Sequence, residues 1–246
     1  MEKPWIILRD RKEFCLPLAG ILCLFILCSC SDSEVNRNSQ PTTSPVSQRT
    51  EQNNPGVKCA EDSPERRGEE GCTILANRPL AGSLSNPVYW HIDRFDSLEA
   101  AKKGGGPDGV AAEAHGDVWL MTVETQTEEH HGGRHIAAIG PLAMTATGRY
   151  SMRVQSSLLM PGSTTPAHTH SGPEVVYVVD GEQCMETQET GHRLGPGQSL
   201  VLPAGVTHRG RVMGAIARRA FGLVLYDAAR PASHDLKEPP PLIPCH

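Results

Sequence analysis

Short apolar stretches separated by glycine and proline fill most of the chain after residue 86. Alternating or continuous apolar residues predict strands at 88–92, 117–123, 135–139, 149–160, 174–179, 182–187, 199–202 and 220–226. Short strands with turn residues between them are typical of a sandwich or a barrel. One stretch differs: it begins at Asp96, contains good helix formers up to Lys103 and is followed by glycines, which predicts a short helix.

The apolar pattern at the N-terminus is of another kind. A continuous apolar stretch of eleven residues runs from Leu18 to Cys28, after several basic residues. As a helix it would rise only about 16 Å, too short for a hydrocarbon core of roughly 30 Å, but suitable for a secretory signal. The stretch ends in LCSC, Leu27–Cys30, which resembles a bacterial lipobox. We expect residues 1–30 to be a signal peptide and Cys30 to be lipidated; an ordinary cleaved signal or an uncleaved anchor is the alternative.

The rest of the chain divides by composition. Residues 31–56 are rich in Ser, Asn, Gln, Thr and Pro and almost lack apolar side chains, so they cannot bury enough surface to offset the entropy of ordering. Residues 57–85 are charged and show little periodicity. We therefore expect a flexible tether and irregular segment over 31–85, a β domain over 86–230 and a Pro-rich tail over 231–246.

Composition supports a β-rich, exported protein. The 24 Gly and 20 Pro suit many turns, and only four Phe, four Tyr and three Trp are present, so the core depends on Val, Leu, Ile, Ala and Met. A net charge of −5 without a basic patch excludes nucleic acid as a partner. The signal predicts a membrane-anchored lipoprotein of the cell envelope that faces the periplasm or the cell surface.

Export bears on the cysteines, because an oxidising compartment permits disulfides. Once Cys30 is acylated, the thiols of Cys59, Cys72, Cys184 and Cys245 remain, and four cysteines allow three pairings. Cys59 with Cys72 is the local choice and our predicted disulfide. Cys184 and Cys245 are a second pair or free thiols.

Residues with metal-ligand character cluster around the later strands. His168 and His170 are two positions apart, so on a strand they face the same side. Glu174 begins an apolar strand, where a carboxylate is costly unless it is paired or bound to a cation. His208 follows a Pro-x-Gly turn. Three imidazoles and a carboxylate suit a divalent transition metal.

These residues stand at the spacing of the two cupin motifs, and the chain resembles a cupin. The motifs cover residues 162–181 and 197–208. Their fixed positions here are Gly162, His168, His170, Glu174, Gly181, Gly197, Pro203, Gly205 and His208. The Asn that closes the second motif is replaced by Val212, at a position that is not a metal ligand in the family.

The resemblance implies an all-β fold: a cupin-type jelly-roll β-barrel, with the short helix and extra strands on its N-terminal side. It also implies that His168, His170, Glu174 and His208 point inward and hold one divalent metal, which is Fe, Mn, Ni, Cu or Zn. Residues 86–145 lack the His-x-His…Glu pattern, so we expect one metal site. We interpret His130, His131 and His135 as part of a solvated loop.

The function stays open at this point, because cupins host many activities. Four protein ligands on an octahedral metal leave two positions for water, dioxygen or a bidentate substrate. Our first hypothesis is a metal-dependent, dioxygenase-like enzyme that acts on a small molecule. The alternatives are a non-catalytic module that binds a small ligand or metal, and a metal-dependent isomerase or lyase.

Candidate contacts to the small molecule are the polar side chains of neighbouring strands. Arg153 and Gln155 lie two positions apart, and Gln183 lies on the strand after the first motif. Arg209 and Arg211 follow His208 and are candidates for binding an anionic group. The expected partners are this small molecule, the membrane through the lipid anchor, and a second copy of the chain in a homodimer.

Overall fold

The computed structural model describes residues 7–9, 57–61, 70–81, 84–125, 132–144 and 149–246. The first half of the described chain contains β1 (Ile7–Arg9), β2 (Cys59–Glu61), β3 (Gly71–Pro79), β4 (Tyr89–Phe95), α1 (Leu98–Gly104), β5 (Val110–Ala114), β6 (Asp117–Glu124) and β7 (Arg134–Ile139). The second half contains β8 (Tyr150–Leu159), β9 (His168–His170), β10 (Glu174–Asp180), β11 (Glu182–Thr187), β12 (Gly191–Leu194), β13 (Gln198–Leu202), β14 (His208–Met213), β15 (Arg218–Asp227) and β16 (Ser233–Asp235). The predicted all-β fold with a short helix is confirmed.

The strands form three sheets. A seven-stranded sheet has the order β1-β13-β10-β15-β8-β3-β2, and a five-stranded sheet has the order β12-β11-β14-β9-β16. A four-stranded sheet, β5-β6-β4-β7, comes from the N-terminal side of the domain. Neighbouring strands are antiparallel except β2 and β3, which pair in parallel. The arrangement is the expected jelly roll with extra N-terminal strands.

Two hydrophobic cores lie on opposite faces of the seven-stranded sheet. The barrel interior contains Val176 and Val178 of β10 with Met185 of β11. The other core contains Val175 and Tyr177 of β10 together with side chains of the four-stranded sheet such as Trp90 and Trp119. Because successive residues of a strand face opposite sides, the apolar run of β10 is buried on both faces.

Residues 86–145 contribute the four-stranded sheet and α1. Trp119 of β6 packs edge-on against Phe221 of β15, with ring centroids 5.1 Å apart, so this sheet covers the outer face of the barrel. The hydroxyl of Ser97 caps α1 by accepting a hydrogen bond from the backbone N–H of Ala100, at 3.2 Å. The helix therefore begins one residue after its cap, close to the predicted Asp96 start.

Segments outside the predicted β domain also join the barrel. Residues 71–79, expected to be irregular, form β3, which pairs along β8. Residues 233–235, expected to belong to a tail, form β16 and pair with β9. Residues 7–9, in the predicted signal peptide, pair with β13. These strands are held by partners distant in sequence, which local periodicity does not reveal.

Two disulfides fasten these added segments. Cys59 of β2 is bonded to Cys72 of β3, as the local spacing predicted, and Cys184 of β11 is bonded to Cys245 near the C-terminus. The predicted tether over 31–56 and Cys30 lie outside the described residues. Within the described ranges, no helix is both long and apolar enough to span a membrane.

Candidate metal centre

Three strands bring the four predicted ligands together at one end of the barrel interior. His168 and His170 lie on β9, Glu174 begins β10 and His208 begins β14. β14 pairs with β9 so that His208 stands opposite His168. One ligand atom from each of the four side chains lies within 4.8 Å of the others. The spacing of the motifs therefore corresponds to a real cluster in space.

Two glycines explain the turns that set this geometry. A Cβ on Gly172, between β9 and β10, would lie 1.7 Å from the carbonyl oxygen of Leu225, so only glycine fits there. Gly205 precedes β14 with φ of +76°, a conformation that favours glycine. Its N–H donates to the carbonyl of His170 at 2.9 Å. The turn before His208 is thereby tied to the His168–His170 strand.

Backbone carbonyls orient all three imidazoles in the same way. Nδ1 of His168 lies 2.8 Å from the carbonyl oxygen of Pro166, Nδ1 of His170 lies 2.9 Å from that of Ala232, and Nδ1 of His208 lies 2.9 Å from that of Val206. A carbonyl oxygen only accepts, so each Nδ1 carries the proton. Each Nε2 is then left with its lone pair toward the cluster, as in metal-binding histidines.

The distances within the cluster call for a positive charge between its atoms. The Nε2 atoms of His168 and His170 are 3.1 Å apart, and Oε2 of Glu174 lies 3.6 Å from Nε2 of His170 and 2.9 Å from Nε2 of His208. Oε2 of Glu174 and Nε2 of His208 are both buried. Neither atom has a hydrogen-bond partner among the described residues. Lone pairs this close repel unless a proton or a metal ion lies between them, and the donor set fits a divalent transition metal.

Burial and mutual charge shift the pKa values of the ligands. Burial, together with the neighbouring charge of His208, lowers the pKa of His168 to about 4. Burial disfavours the charged form of Glu174, but His170 and His208 outweigh it and hold the pKa of this carboxyl well below its usual range. Burial likewise disfavours charged His208, but the Glu174 carboxylate raises its pKa above the ordinary value. Without metal, these shifts favour a protonated His208 beside an ionised Glu174 carboxylate.

The four ligands line a cavity of about 300 Å³ inside the barrel. Alternate residues of the strands form its wall, including the predicted contacts Arg153 and Gln155 of β8 and Gln183 of β11. Gln183 is buried, and its Oε1 has no hydrogen-bond partner among the described residues. All three predicted side chains therefore face the space next to the ligands.

The structure places Arg209 and Arg211 elsewhere. Both pair with the buried carboxylate of Glu186, with 2.8 Å between Nε of Arg211 and Oε1 of Glu186. Because residues alternate along β14, His208 and Gly210 face the cavity while the two arginines face the other side. They are not available to an anionic group in the cavity.

Of the three histidines predicted to lie in a solvated loop, the structure describes one, His135. His135 lies at the start of β7, where its Nδ1 is 2.9 Å from Oδ1 of the buried Asp93. This contact gives it a structural role, whereas His130 and His131 lie outside the described residues.

Among the residues of the cavity wall that sequence reasoning missed, Arg218 is the buried charged one. It lies at the start of β15 and lines the cavity together with Ser157 of β8. The signal was the pair Arg218–Arg219 at the head of an alternating strand, since one of two successive residues must face inward. The predicted strand began at residue 220, two positions too late for that signal to be used.

A family model described as "Cupin domain" matches residues 156–218, which contain both motifs. This match supports the cupin superfamily for that part of the chain. Among curated proteins, none matches the chain significantly in sequence.

Several solved structures are similar over part of the chain. A cupin-like protein from Thermotoga maritima has 17% identity and a TM-score of 0.32, over 37% of this chain and 77% of its own. An oxalate oxidase in complex with the substrate analogue glycolate has 20% identity and a TM-score of 0.30, over 35% of this chain and 46% of its own. A salicylate 1,2-dioxygenase variant from Pseudoaminobacter salicylatoxidans, in complex with gentisate, has 19% identity and a TM-score of 0.27, over 29% and 19%. The chain thus spans less than half of either enzyme.

Proposed function

We propose that this cupin domain binds one divalent transition metal through His168, His170, Glu174 and His208 and works as a metal-dependent oxidoreductase of the dioxygenase type on a small molecule. The observation that carries the proposal is the convergence of four oriented ligand atoms on the wall of a buried cavity. Four ligands leave room for a substrate beside the metal. The cavity of about 300 Å³ limits that substrate to a small molecule.

The chain's own residues fix the ligand atoms and orient a small molecule beside them. The carbonyls of Pro166, Ala232 and Val206 fix the imidazole rings, so the ligand atoms need no reorientation when the metal arrives. The metal, when bound, supplies Lewis acidity and, if it is a redox-active ion, electron transfer. Gln155 and Gln183 offer amide groups that orient a small molecule in the cavity.

An isomerase or lyase working through a carboxylate base finds few candidates in the cavity wall. Reactions of these classes move protons and use a positioned acid or base. In the described part of the wall the carboxylates are Glu174 and Asp235. Glu174 belongs to the metal ligands, and Asp235 forms an ion pair with Lys58 at 2.5 Å. No other carboxylate of the described wall is free to serve as a general base.

Elemental analysis and oxygen uptake test this function. Protein from its native compartment should carry about one metal ion per chain, and His168→Ala with His170→Ala should eliminate it while the circular dichroism spectrum stays unchanged. His234→Ala is the matched control, because His234 is an exposed histidine of β16 that pairs with Thr169 of the same β9 strand. A wild type without stoichiometric metal after loading with Fe, Mn, Ni, Cu and Zn contradicts the metal site. Full metal content without oxygen uptake on any small-molecule substrate would instead favour the isomerase, lyase or non-catalytic binding function.

We also propose that the protein is exported and anchored through Cys30, on the support of the lipobox-like LCSC at Leu27–Cys30. Cys30→Ser should abolish labelling by a palmitate analogue and release a soluble or unprocessed form. Cys28→Ser is the matched control, because this neighbouring cysteine precedes the expected cleavage point. Equal labelling of wild type and Cys30→Ser would exclude the anchor.

A further inference from the structure

Arg218 is a buried cation that has no carboxylate partner among the described residues. Its side chain is only 5% exposed, and its Nη1 donates to the hydroxyl of Ser157 at 2.5 Å. Its Nε has no hydrogen-bond partner among the described residues, and none of their carboxylates lies within ion-pair distance of the guanidinium. A neutral hydroxyl does not compensate a buried charge, which is costly unless it is paired.

The neighbouring Arg219, in contrast, is partly exposed and paired with a carboxylate. Arg219 points to the other side of β15, where its Nη1 lies 2.8 Å from Oδ2 of Asp180 and its side chain is 39% exposed. Burial lowers the pKa of Arg218 to about 10, against an opposing effect of Glu174. Arg218 therefore still carries its charge at neutral pH. It faces the cavity inside the barrel, whereas Arg219 faces the other side of the sheet.

The strand register places Arg218 at the end of the cavity away from the metal ligands. Glu174 of β10 stands opposite Val224 of β15, and Val178 stands opposite Ala220. Arg218 lies two residues further along β15 in the same direction. The wall between the two ends combines apolar side chains, such as Val176, Met185 and Ala220, with the amide groups of Gln155 and Gln183. One cavity therefore has a metal-ligand cluster at one end, a guanidinium at the other and a mixed apolar and amide wall between them.

We propose that Arg218 and Ser157 form an anion-binding subsite, which receives the carboxylate of a small carboxylic acid whose opposite end reaches the metal ligands. This inference rests on the proposed function, since it names the substrate class of the same cavity. The planar guanidinium matches a carboxylate through parallel N–H···O bonds. At this end of the cavity the guanidinium supplies the donors for a singly charged carboxylate but few for a phosphate, while the Ser157 hydroxyl, which donates to the carbonyl of Ala220 at 3.4 Å, positions Arg218.

Binding of benzoate, with benzamide as its neutral counterpart, tests the subsite. Calorimetry is carried out on the full chain, both metal-loaded and metal-stripped, so that the carboxylate preference is measured without the metal as well. We expect benzoate to bind wild type at least about tenfold more tightly than benzamide in both forms, from charge-assisted hydrogen bonds. Arg218→Gln should lose this preference, Arg218→Lys should retain part of it, and Arg219→Gln, the matched control, should behave as wild type.

Two further readouts separate ligand binding from a structural role. Arg218→Gln should melt at the same temperature as wild type or higher, because it removes an uncompensated buried charge, whereas a structural arginine would lower the melting temperature. Its metal content should equal that of wild type. If wild type holds no metal but the stripped protein still prefers benzoate through Arg218, the proposed function fails and the subsite stands.

Three results would overturn the subsite. The first is equal affinity of wild type for benzoate and benzamide, which includes no binding of either. The second is an unchanged preference for benzoate in Arg218→Gln. The third is tighter binding of inorganic phosphate than of benzoate. If Arg218→Gln does not fold, Arg218→Lys decides instead. That variant keeps the charge without the planar fork, so a fully unchanged preference there also overturns the proposal.

Discussion

Single residues set the protonation of the candidate metal centre. The raised pKa of His208 and the lowered pKa of Glu174 favour a protonated imidazole beside an ionised carboxylate in the metal-free protein. A metal ion must displace this proton, so affinity should rise with pH up to the pKa of His208 and level off above it. His168, whose pKa is about 4, is neutral throughout that range and does not compete.

The measurement is zinc affinity as a function of pH, with proton release obtained from calorimetry in buffers of different ionisation enthalpy. Roughly one proton should be released per metal ion below the pKa of His208. The control variant His234→Ala should follow the same curve. An affinity independent of pH between about 6 and about 8 would contradict a proton held by His208.

Another residue, His115, should control stability in acid. Burial, with smaller effects of Arg219 and Arg218, lowers its pKa to about 4, although its Nε2 contacts the carbonyl of Ala220. The unfolded chain, with an ordinary pKa near 6.5, binds this proton first as pH falls. Neutral His115 therefore contributes to the free energy of unfolding above about pH 6.5. This contribution, of up to about 3 kcal/mol, is lost as the pH falls toward about 4.

His115→Asn tests this expectation, because asparagine tolerates the φ of 54° found at this position. The variant should be less sensitive to pH between about 6.5 and about 4 in chemical unfolding, whatever its stability at neutral pH. The exposed His234, changed to Ala, provides the comparison. An identical slope of stability against pH in wild type and His115→Asn would show that His115 does not titrate as described.

At the scale of the element, local sequence patterns predicted some strands correctly. Strands that depend on pairing with distant segments were not predicted. β11 runs over Glu182–Thr187, as predicted, because its apolar residues and the following turn are local signals. β3 and β16 were missed, because β3 is held by pairing with β8 and β16 by pairing with β9. Neither carries a strong alternation of its own.

The same distinction applies to the site. The four ligands could be predicted from two motifs, because a fixed spacing on known strands sets which side chains face inward. For Arg218 the sequence indicated only that one of two successive arginines faces inward; which of them does so depends on where β15 begins and on its register with β8. Gly172 is required by its approach to Leu225, a contact between segments far apart in sequence.

Two glycines of the barrel should respond oppositely to alanine. In Gly172→Ala the new Cβ meets the backbone oxygen of Leu225 at 1.7 Å, which cannot move without displacing β15. We expect a loss of about 3 kcal/mol or more and loss of metal binding. In Gly222→Ala the Cβ lies 2.8 Å from Nε2 and 2.9 Å from Cγ of Gln155, so this flexible side chain has to move, and not the backbone.

Gly222→Ala should therefore fold nearly as well as wild type, keep its metal and have a smaller cavity. Thermal unfolding and metal content of both variants provide the comparison. Similar melting temperatures for the two variants would show that the turn between β9 and β10 can relax, against the expectation from the structure.

At the scale of the whole molecule, two disulfides hold distant segments to the barrel. The bond between Cys184 and Cys245 spans 61 residues and that between Cys59 and Cys72 spans 13. Loop-closure entropy predicts that removing them costs about 4 and about 3 kcal/mol, respectively. Cys184→Ala with Cys245→Ala should therefore lower the melting temperature more than Cys59→Ala with Cys72→Ala.

Thermal unfolding of both double variants checks this order, and wild type under reducing conditions supplies the comparison for loss of both bonds. A melting temperature that reduction leaves unchanged would contradict a stabilising role for either disulfide. Mass mapping of non-reduced peptides verifies the pairing in each preparation.

The bond between Cys59 and Cys72 has a further consequence, because both residues also line the cavity of the candidate metal centre. As a disulfide they offer no thiolate. In the reduced chain the same wall would present two soft sulfur donors, which attract copper(I) and zinc. Protein made in the cytoplasm of an expression host, or kept in dithiothreitol, would then contain a different donor set from exported protein. The metal found in a preparation therefore depends on the redox history of the sample, and preparations that differ in this history are not interchangeable.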